Sequence, residues 1–312
     1  MRNFEETIAL IVCTRNRAHY MAGLLNNLES LETLPGTILV VDSSDSQETF
    51  NLIENSKSDF RNRMLYLHSN PGLPYQRNRG IREVLSNKEF QNVEILSFTD
   101  DDCRLHAGYF RYLIDSIRSN LVFCAITGIQ TPMKLSKITL LRRFFYLDSR
   151  KSGAILKSGY TTPIRTTNGI TEVEWMPGGC MNIKRSVLET IKFDEKLRMY
   201  GEDLKFSLIL KLHGPLFVNT DMKYQHLEAS QGKESFEDVI SYTDGVRWHL
   251  AREFPEFIKK RYVMWSIIGS IIGSTFLKVR SDEHTKNKLI VMGHIKFLVR
   301  LFGRKSYVQE NN

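Results

Sequence analysis

The stretch Val93–Cys103 reads VEILSFTDDDC, an apolar run that breaks directly into three adjacent carboxylates, Asp100, Asp101 and Asp102. The run predicts an interior strand over Val93–Phe98, with the acidic triplet at its carboxyl end. Adjacent like charges repel, so a fold keeps them together only where a metal ion, an arginine or solvent lies among them. Taken alone, the triplet also suits a solvated loop or the acidic first turn of a helix. The neighbouring strand ends decide between these readings.

Upstream, TIALIVC (Thr7–Cys13) and TILVV (Thr37–Val41) are Ile- and Val-rich runs suited to strands covered on both faces, and MLYLH (Met64–His68) is a third. Helices fall between them. Met21, Leu24, Leu25, Leu28 and Leu31 recur at helical spacing from Ala18 towards Pro35-Gly36, a second helical stretch covers Gln47–Ser56, and NPGLPYQRNRG (Asn70–Gly80) opens a third at Gln76. Strands alternating with helices predict an α/β fold with a mostly parallel sheet, whose ligands bind outside the carboxyl ends of the strands.

Those ends are polar in a consistent way. The first delivers Thr14, Arg15, Asn16 and Arg17, the second Asp42 in VVDSSD, and the third is followed by Arg77 and Asn78. Carboxylates suit ribose hydroxyls and base N–H groups, arginines suit phosphate, and paired aspartates suit a divalent cation. Farther on, 121–175 has weak periodicity, with KSGAILKSGYTTPIRTTNGI (Lys151–Ile170) as a long polar loop. EWMPGGCMNI reads as a turn entering a strand, KRSVLETI as a helix, FDEKLRMYGED as a loop, LKFSLILKLHG as a helix and Leu216–His226 as a last strand.

TRNR, VVDSSD, NPGLPYQRNRGI, FTDDDC and MPGGCMNIKRSVLETIKFDEKLRMYGEDLKFSLIL, in this order over about Ile8 to His226, resemble the inverting family 2 glycosyltransferases of the GT-A fold. The resemblance implies a Rossmann-like nucleotide-binding sheet and Mg²⁺ or Mn²⁺ as cofactor. It implies that Asp42 holds the nucleoside, and that Asp100 and Asp102 are the ends of a DxD motif. Asp102 would then bind the metal, Asp100 the ribose or a metal-bound water, and Asp101 would stand with them on the donor side. Glu202-Asp203 is similar to the family's ED pair, with Asp203 as general base, and His226 lies where some members place a further metal ligand. Arg77 precedes Asn78 in the family's RN position, implying a diphosphate or base contact beside Thr14, Arg15, Asn16 and Arg17. The family often has an arginine after the ED pair, where this chain offers Lys205 and Lys211.

The chemistry is reasonable on its own terms. A sugar nucleotide leaves as a diphosphate, whose developing charge a hard cation on carboxylates offsets. An acceptor hydroxyl is a poor nucleophile and needs a carboxylate base. Trp175 suits an apolar floor for the acceptor sugar, and Gly178 and Gly179 a close backbone approach to ligand or a plain turn. GED also suits an acidic helix start, and His226 an ordinary half-buried histidine.

The chain has 312 residues, 42% hydrophobic and 25% charged, a globular composition. Its four cysteines show no CxxC pair or zinc spacing, and MRNFEETIALIVC lacks the basic start of a secretory signal, so a cytoplasmic protein is expected. Met1–Val246 holds 30 Lys/Arg against 30 Asp/Glu, whereas Arg247–Asn312 holds 13 against 5. The expected organisation is a GT-A domain over 1–246, with a donor half to about 120 and an acceptor half beyond, then a basic helical extension over 247–312. In that extension YVMWSIIGSIIGSTFL (Tyr262–Leu277) has sixteen uncharged residues, fewer than the roughly 20 a spanning helix needs. Flanked by KKR and KVR, and followed by IKFLVRLFGRK, it suits an anionic membrane surface, peripheral on the cytoplasmic face of the inner membrane, or equally a pair of amphipathic helices packed on the domain. No nucleic-acid motif accompanies the charge.

The function expected is metal-dependent inverting transfer from a nucleotide-diphosphate sugar, by default a UDP-sugar, to a glycan or lipid-linked acceptor. A sugar nucleotidyltransferase would need a glycine-rich phosphate loop after the first strand, and CTRNRAHY has no glycine. A non-catalytic nucleotide-sugar or glycan binder follows if GED only starts a helix.

Overall fold

The computed structural model describes residues 5–119, 121–132, 138–165, 169–198, 200–227, 235–276 and 281–303. The chain divides into two compact units, 1–133 with 165–229, and 134–164 with 230–312.

In the first unit the strands are β1 (Ile8–Thr14), β2 (Thr37–Asp42), β3 (Met64–His68), β4 (Ile95–Asp100), β5 (Cys103–Leu105), β6 (Ala125–Gln130), β7 (Ile170–Val173), β8 (Cys180–Lys184) and β9 (Leu216–His226). They form one sheet in the order β3-β2-β1-β4-β8-β6-β9-β5, with β7 on β9. Pairing is parallel across β3-β2-β1-β4 and mixed beyond. Every residue of β1 is buried, as its unbroken apolar run requires of a strand covered on both faces.

The helices of this unit are α1 (Ala18–Glu29), α2 (Glu48–Glu54), α3 (Ser58–Arg61), α4 (Leu73–Ser86), α5 (Tyr109–Arg118), α7 (Arg185–Leu188) and α8 (Glu202–His213); α6 (Leu140–Phe144) lies in the second unit. Met21, Leu24, Leu25 and Leu28 of α1 join Ile8, Leu10 and Val12 of β1 and Phe110 and Leu113 of α5 in one core. Each such side chain contributes about 1.5–3 kcal/mol by leaving water. Ile11 points to the other face, where α4 comes so close that a Cβ on Gly80 would lie 2.8 Å from the Ile11 side chain.

Three boundaries differ from the sequence reading. β4 runs to Asp100, because Thr99 and Asp100 still pair with Val12 and Cys13 of β1. α4 starts at Leu73, with Pro74 in its first turn, so Arg77 and Asn78 are helical and buried. KRSVLETI forms one turn only, Arg185–Leu188. The weakly periodic middle contains β6 and β7, strands that the apolar pattern did not announce.

The second unit contains α9 (Phe236–Glu253), α10 (Lys260–Phe276) and α11 (Ser281–Phe302) beside α6. Residue 246, where the charge partition put a boundary, lies inside α9. The glycines and serines of the apolar run are used for packing. Ser266 accepts from Arg247, Ser270 bonds to His294, and a Cβ on Gly269 would lie 2.1 Å from the Phe145 ring. Among the described residues no helix is long and apolar enough to cross a membrane.

Candidate active site

The sheet register assembles the site. Thr14 pairs with Asp42, and Cys13 with Asp100, so the carboxyl ends of β2, β1 and β4 stand side by side. Thr99 of β4 pairs with Cys180 at the start of β8, which brings the Pro177-Gly178-Gly179 turn against Asp100. β5, directly behind the acidic triplet, pairs Cys103 with His226 at the end of β9. Helix α8 begins after Gly201, whose φ of +87 suits glycine, and puts Glu202 and Asp203 in its first turn.

The three carboxylates have different partners. Asp101 is buried and accepts from Thr14 Oγ1 at 2.7 Å and Arg17 Nη1 at 3.1 Å. Burial raises its pKa above the ordinary value, against both hydrogen bonds. Asp102, also buried, has His226 Nε2 at 3.0 Å and Arg17 at 3.8 Å. Asp100 is partly open, with Arg77 Nη2 at 3.4 Å. Two arginines therefore lie among the three negative charges.

Arg77 is 2% exposed and central. It donates to the Gly178 carbonyl at 2.9 Å and meets Glu202 at 3.3 Å, with its guanidinium 5.1 Å from the Phe193 ring centre. Burial opposes its charge, but Asp100 and Glu202 more than compensate, so its pKa rises. Burial and then the Asp203 charge push Glu202 up to about 8 in spite of Arg77. Burial likewise raises Asp203, against the N–H groups of Leu204 at 2.7 Å and Gly178 at 3.4 Å. A Cβ on Gly178 would lie 3.1 Å from Arg77 Nη2, and one on Gly179 3.1 Å from Asp100 Oδ2, so the protein's own side chains give these glycines a reason.

At β2, Asp42 accepts from the Ser44 N–H at 2.8 Å and from Tyr66 Oη at 3.1 Å. Burial first, then Asp42, push the Tyr66 hydroxyl up to about 12. Asn16, at φ 54, donates to Asp45 at 2.8 Å, while Arg15 is exposed. Trp175 is half-buried.

The structure thus brings together Thr14, Arg17, Asp42, Arg77, Asp100, Asp101, Asp102, Gly178, Gly179, Glu202, Asp203 and His226, with Asn16 tied to Ser44 and Asp45 behind β2. Sequence reasoning missed Tyr66, Ser44 and the Asn78 clamp, in which Nδ2 donates to the Phe193 carbonyl at 2.9 Å and Glu195 at 2.8 Å. The signal was available for Tyr66, which lies near the carboxyl end of β3 as Asp42 ends β2.

Asp102, Cys103 and His226 offer ligand atoms within 4.8 Å of one another. The carboxylate and imidazole fit a divalent cation. The Cys103 thiol does not: burial pushes it well above its ordinary range, and it donates to the Gly179 carbonyl at 3.3 Å. Two protein ligands leave coordination positions open for phosphate oxygens and water.

A sheet of this order, with carboxylates from β2, β4 and a helix start converging at its carboxyl edge, is that of the α/β GT-A fold. The chain belongs to glycosyl transferase family 2, which matches residues 9–191, and it is a glycosyltransferase. Among solved structures it is similar to the mannosyltransferase PcManGT from Pyrobaculum calidifontis in complex with GDP-Man and Mn²⁺, at 13% identity over 94% of this chain and 87% of that one, TM-score 0.58. S. aureus TarS 1-349 matches at 16% identity over 96% of this chain and 83% of that one, TM-score 0.49. No curated protein matches the chain in sequence.

Proposed function

We propose that the enzyme moves a sugar from a nucleoside diphosphate donor to a hydroxyl of a glycan or lipid-linked acceptor, with Mg²⁺ or Mn²⁺ and with inversion at the anomeric carbon. One observation carries the reading. Arg77 reaches both Asp100, beside the Asp102–His226 pair, and Glu202, next to Asp203, so a metal-type set and a base-type set flank one guanidinium. The fold shared with a mannosyltransferase solved with GDP-Man and Mn²⁺ supports a nucleotide-sugar donor; a UDP-sugar is the default to try first.

In this reading Asp42, fixed by Ser44 and Tyr66, takes the nucleoside, and Asp100 the ribose, with Thr14, Asn16 and Arg15 at the same strand end. Asp102 and His226 would hold the cation, which when bound offsets charge on the leaving diphosphate. The imidazole favours Mn²⁺, because Mg²⁺ prefers an all-oxygen shell. Asp203 takes the proton of the acceptor hydroxyl, and its raised pKa is the direction a base needs. Arg77 and Arg17 act through the carboxylates they pair with, as positioning residues. Trp175, Gly178 and Gly179 lie on the acceptor side. A lipid-linked acceptor would bring the enzyme to an anionic membrane surface, peripheral on the cytoplasmic face.

The test is release of the nucleoside diphosphate with Mn²⁺, Mg²⁺ or chelator, with the product anomer read by NMR. Release should require the cation, fall at least about a hundredfold in Asp102→Ala, and yield the inverted anomer. Full activity in chelator would sink the metal role, and a retained anomer the inverting one.

A further inference from the structure

The second unit groups its exposed apolar side chains on a basic patch. On α6, Leu140 and Phe144 stand one turn apart, 80% and 62% exposed, with Leu141 exposed beside them. The Phe144 ring meets Trp265 edge-on at 5.3 Å, and Trp265 Nε1 donates to the Phe144 carbonyl at 3.0 Å. The patch therefore continues onto α10, where Ile268 is exposed three residues beyond Trp265. Phe145 beside it is buried against Gly269 and lies 4.9 Å from the Trp265 ring. One ring anchors the short helix while its neighbours face solvent, an arrangement of exposed apolar groups that marks a contact surface.

Charge selects the partner. The unit holding the patch, 134–164 with 230–312, carries 21 Lys/Arg against 10 Asp/Glu, whereas the rest of the chain carries 22 against 25. Arg143 on α6 and Lys260 and Arg261 at the start of α10 are exposed. A second copy of this patch would bring like charge against like charge. A surface that is negative outside and apolar beneath suits it: basic groups meet phosphates, Leu and Phe enter the acyl boundary, and Trp sits at headgroup level.

We propose that α6 docks the enzyme on an anionic lipid bilayer, with Leu140, Leu141 and Phe144 inserted and Arg143, Lys260 and Arg261 on the headgroups. This rests on the membrane partner proposed above and assigns the face that makes the contact. The test is co-sedimentation of the full chain with vesicles of phosphatidylcholine, alone or with about one part in three phosphatidylglycerol. Wild type should pellet with the mixed vesicles only, and Leu140→Asp/Phe144→Asp should bind roughly tenfold more weakly with unchanged melting and unchanged transfer to a soluble acceptor. If wild type fails to pellet, the membrane partner itself falls. If wild type and variant pellet equally, the partner stands and the α6 face is wrong. If the variant instead turns a dimer into a monomer in sedimentation velocity, the patch is a self-association surface and the proposal is overturned.

Discussion

Each unit of the chain buries an arginine among acidic groups, and the two clusters behave in opposite ways. Arg247 has one carboxylate, Asp244, and donates to the Ser158 carbonyl and Ser266 Oγ, both at 3.0 Å, with Tyr160 stacked 4.0 Å away. His294 bonds Asp244 at 2.6 Å and Ser270 at 2.8 Å, so every member of the cluster has a partner. Arg77 faces Asp100 and Glu202 at 3.4 and 3.3 Å, with Asp203 adding a third carboxyl group, so one guanidinium cannot balance all three in ionised form and Glu202 is pushed up to about 8. A closed cluster pins helices; an unbalanced one keeps negative charge in reserve for a cation, a substrate proton or both. The difference follows from charge count more than from burial, since both arginines are buried.

The largest effect should come from the unbalanced cluster. Asp203→Asn keeps the shape and, through its one carbonyl oxygen, the short hydrogen bond from the Leu204 N–H, gives up the long one from the Gly178 N–H and removes the base, so kcat should fall about 10²–10⁴-fold with a far smaller change in melting temperature. Steady-state transfer and a thermal melt on the same preparation check this. Near-normal turnover would return Glu202-Asp203 to an ordinary acidic helix start.

Removing each arginine tests the contrast directly. Arg247→Met leaves Asp244 buried without its cation and should cost about 3–5 kcal/mol in urea unfolding. Arg77→Met should abolish transfer yet cost less stability, because Glu202 and Asp203 already favour protonation and can take up protons when the guanidinium goes. Equal losses of stability would mean that the Arg77 cluster is as structural as the other.

Much of this was legible in advance because strand ends carry chemistry in α/β folds. Asp42, Asp100 and Asp102 stood out as polar residues behind apolar runs, and the Glu202-Asp203 pair through the resemblance to the family's ED pair. What could not be read were partners set by register. That Cys103 pairs with His226, and so puts an imidazole on Asp102, depends on β5, a strand of three residues with no periodicity to display. That Arg77 joins Asp100 to Glu202 depends on the face of α4 that carries it being buried, which the helical pattern, with a charged residue at that position, does not announce. The apolar run at Tyr262–Leu277 suits either a membrane surface or packed helices by sequence alone, because hydropathy cannot show that Ser266, Gly269 and Ser270 each meet a specific partner.

The smallest expected effect is a slope with pH. Glu202 is held at about 8 in the folded chain against an ordinary 4.5, so between these values the folded state keeps a proton that the unfolded chain releases. Stability from this group is complete below about pH 4.5 and is lost as pH rises through about 8. Glu202→Gln should therefore flatten the decline in urea midpoint between pH 5 and pH 9 and be the more stable protein at the alkaline end, with little difference at the acid end. Parallel midpoint curves for wild type and Glu202→Gln would show that Arg77 does neutralise Glu202 at all pH values, and the claim that this cluster holds more negative charge than its arginine can balance would fail with it.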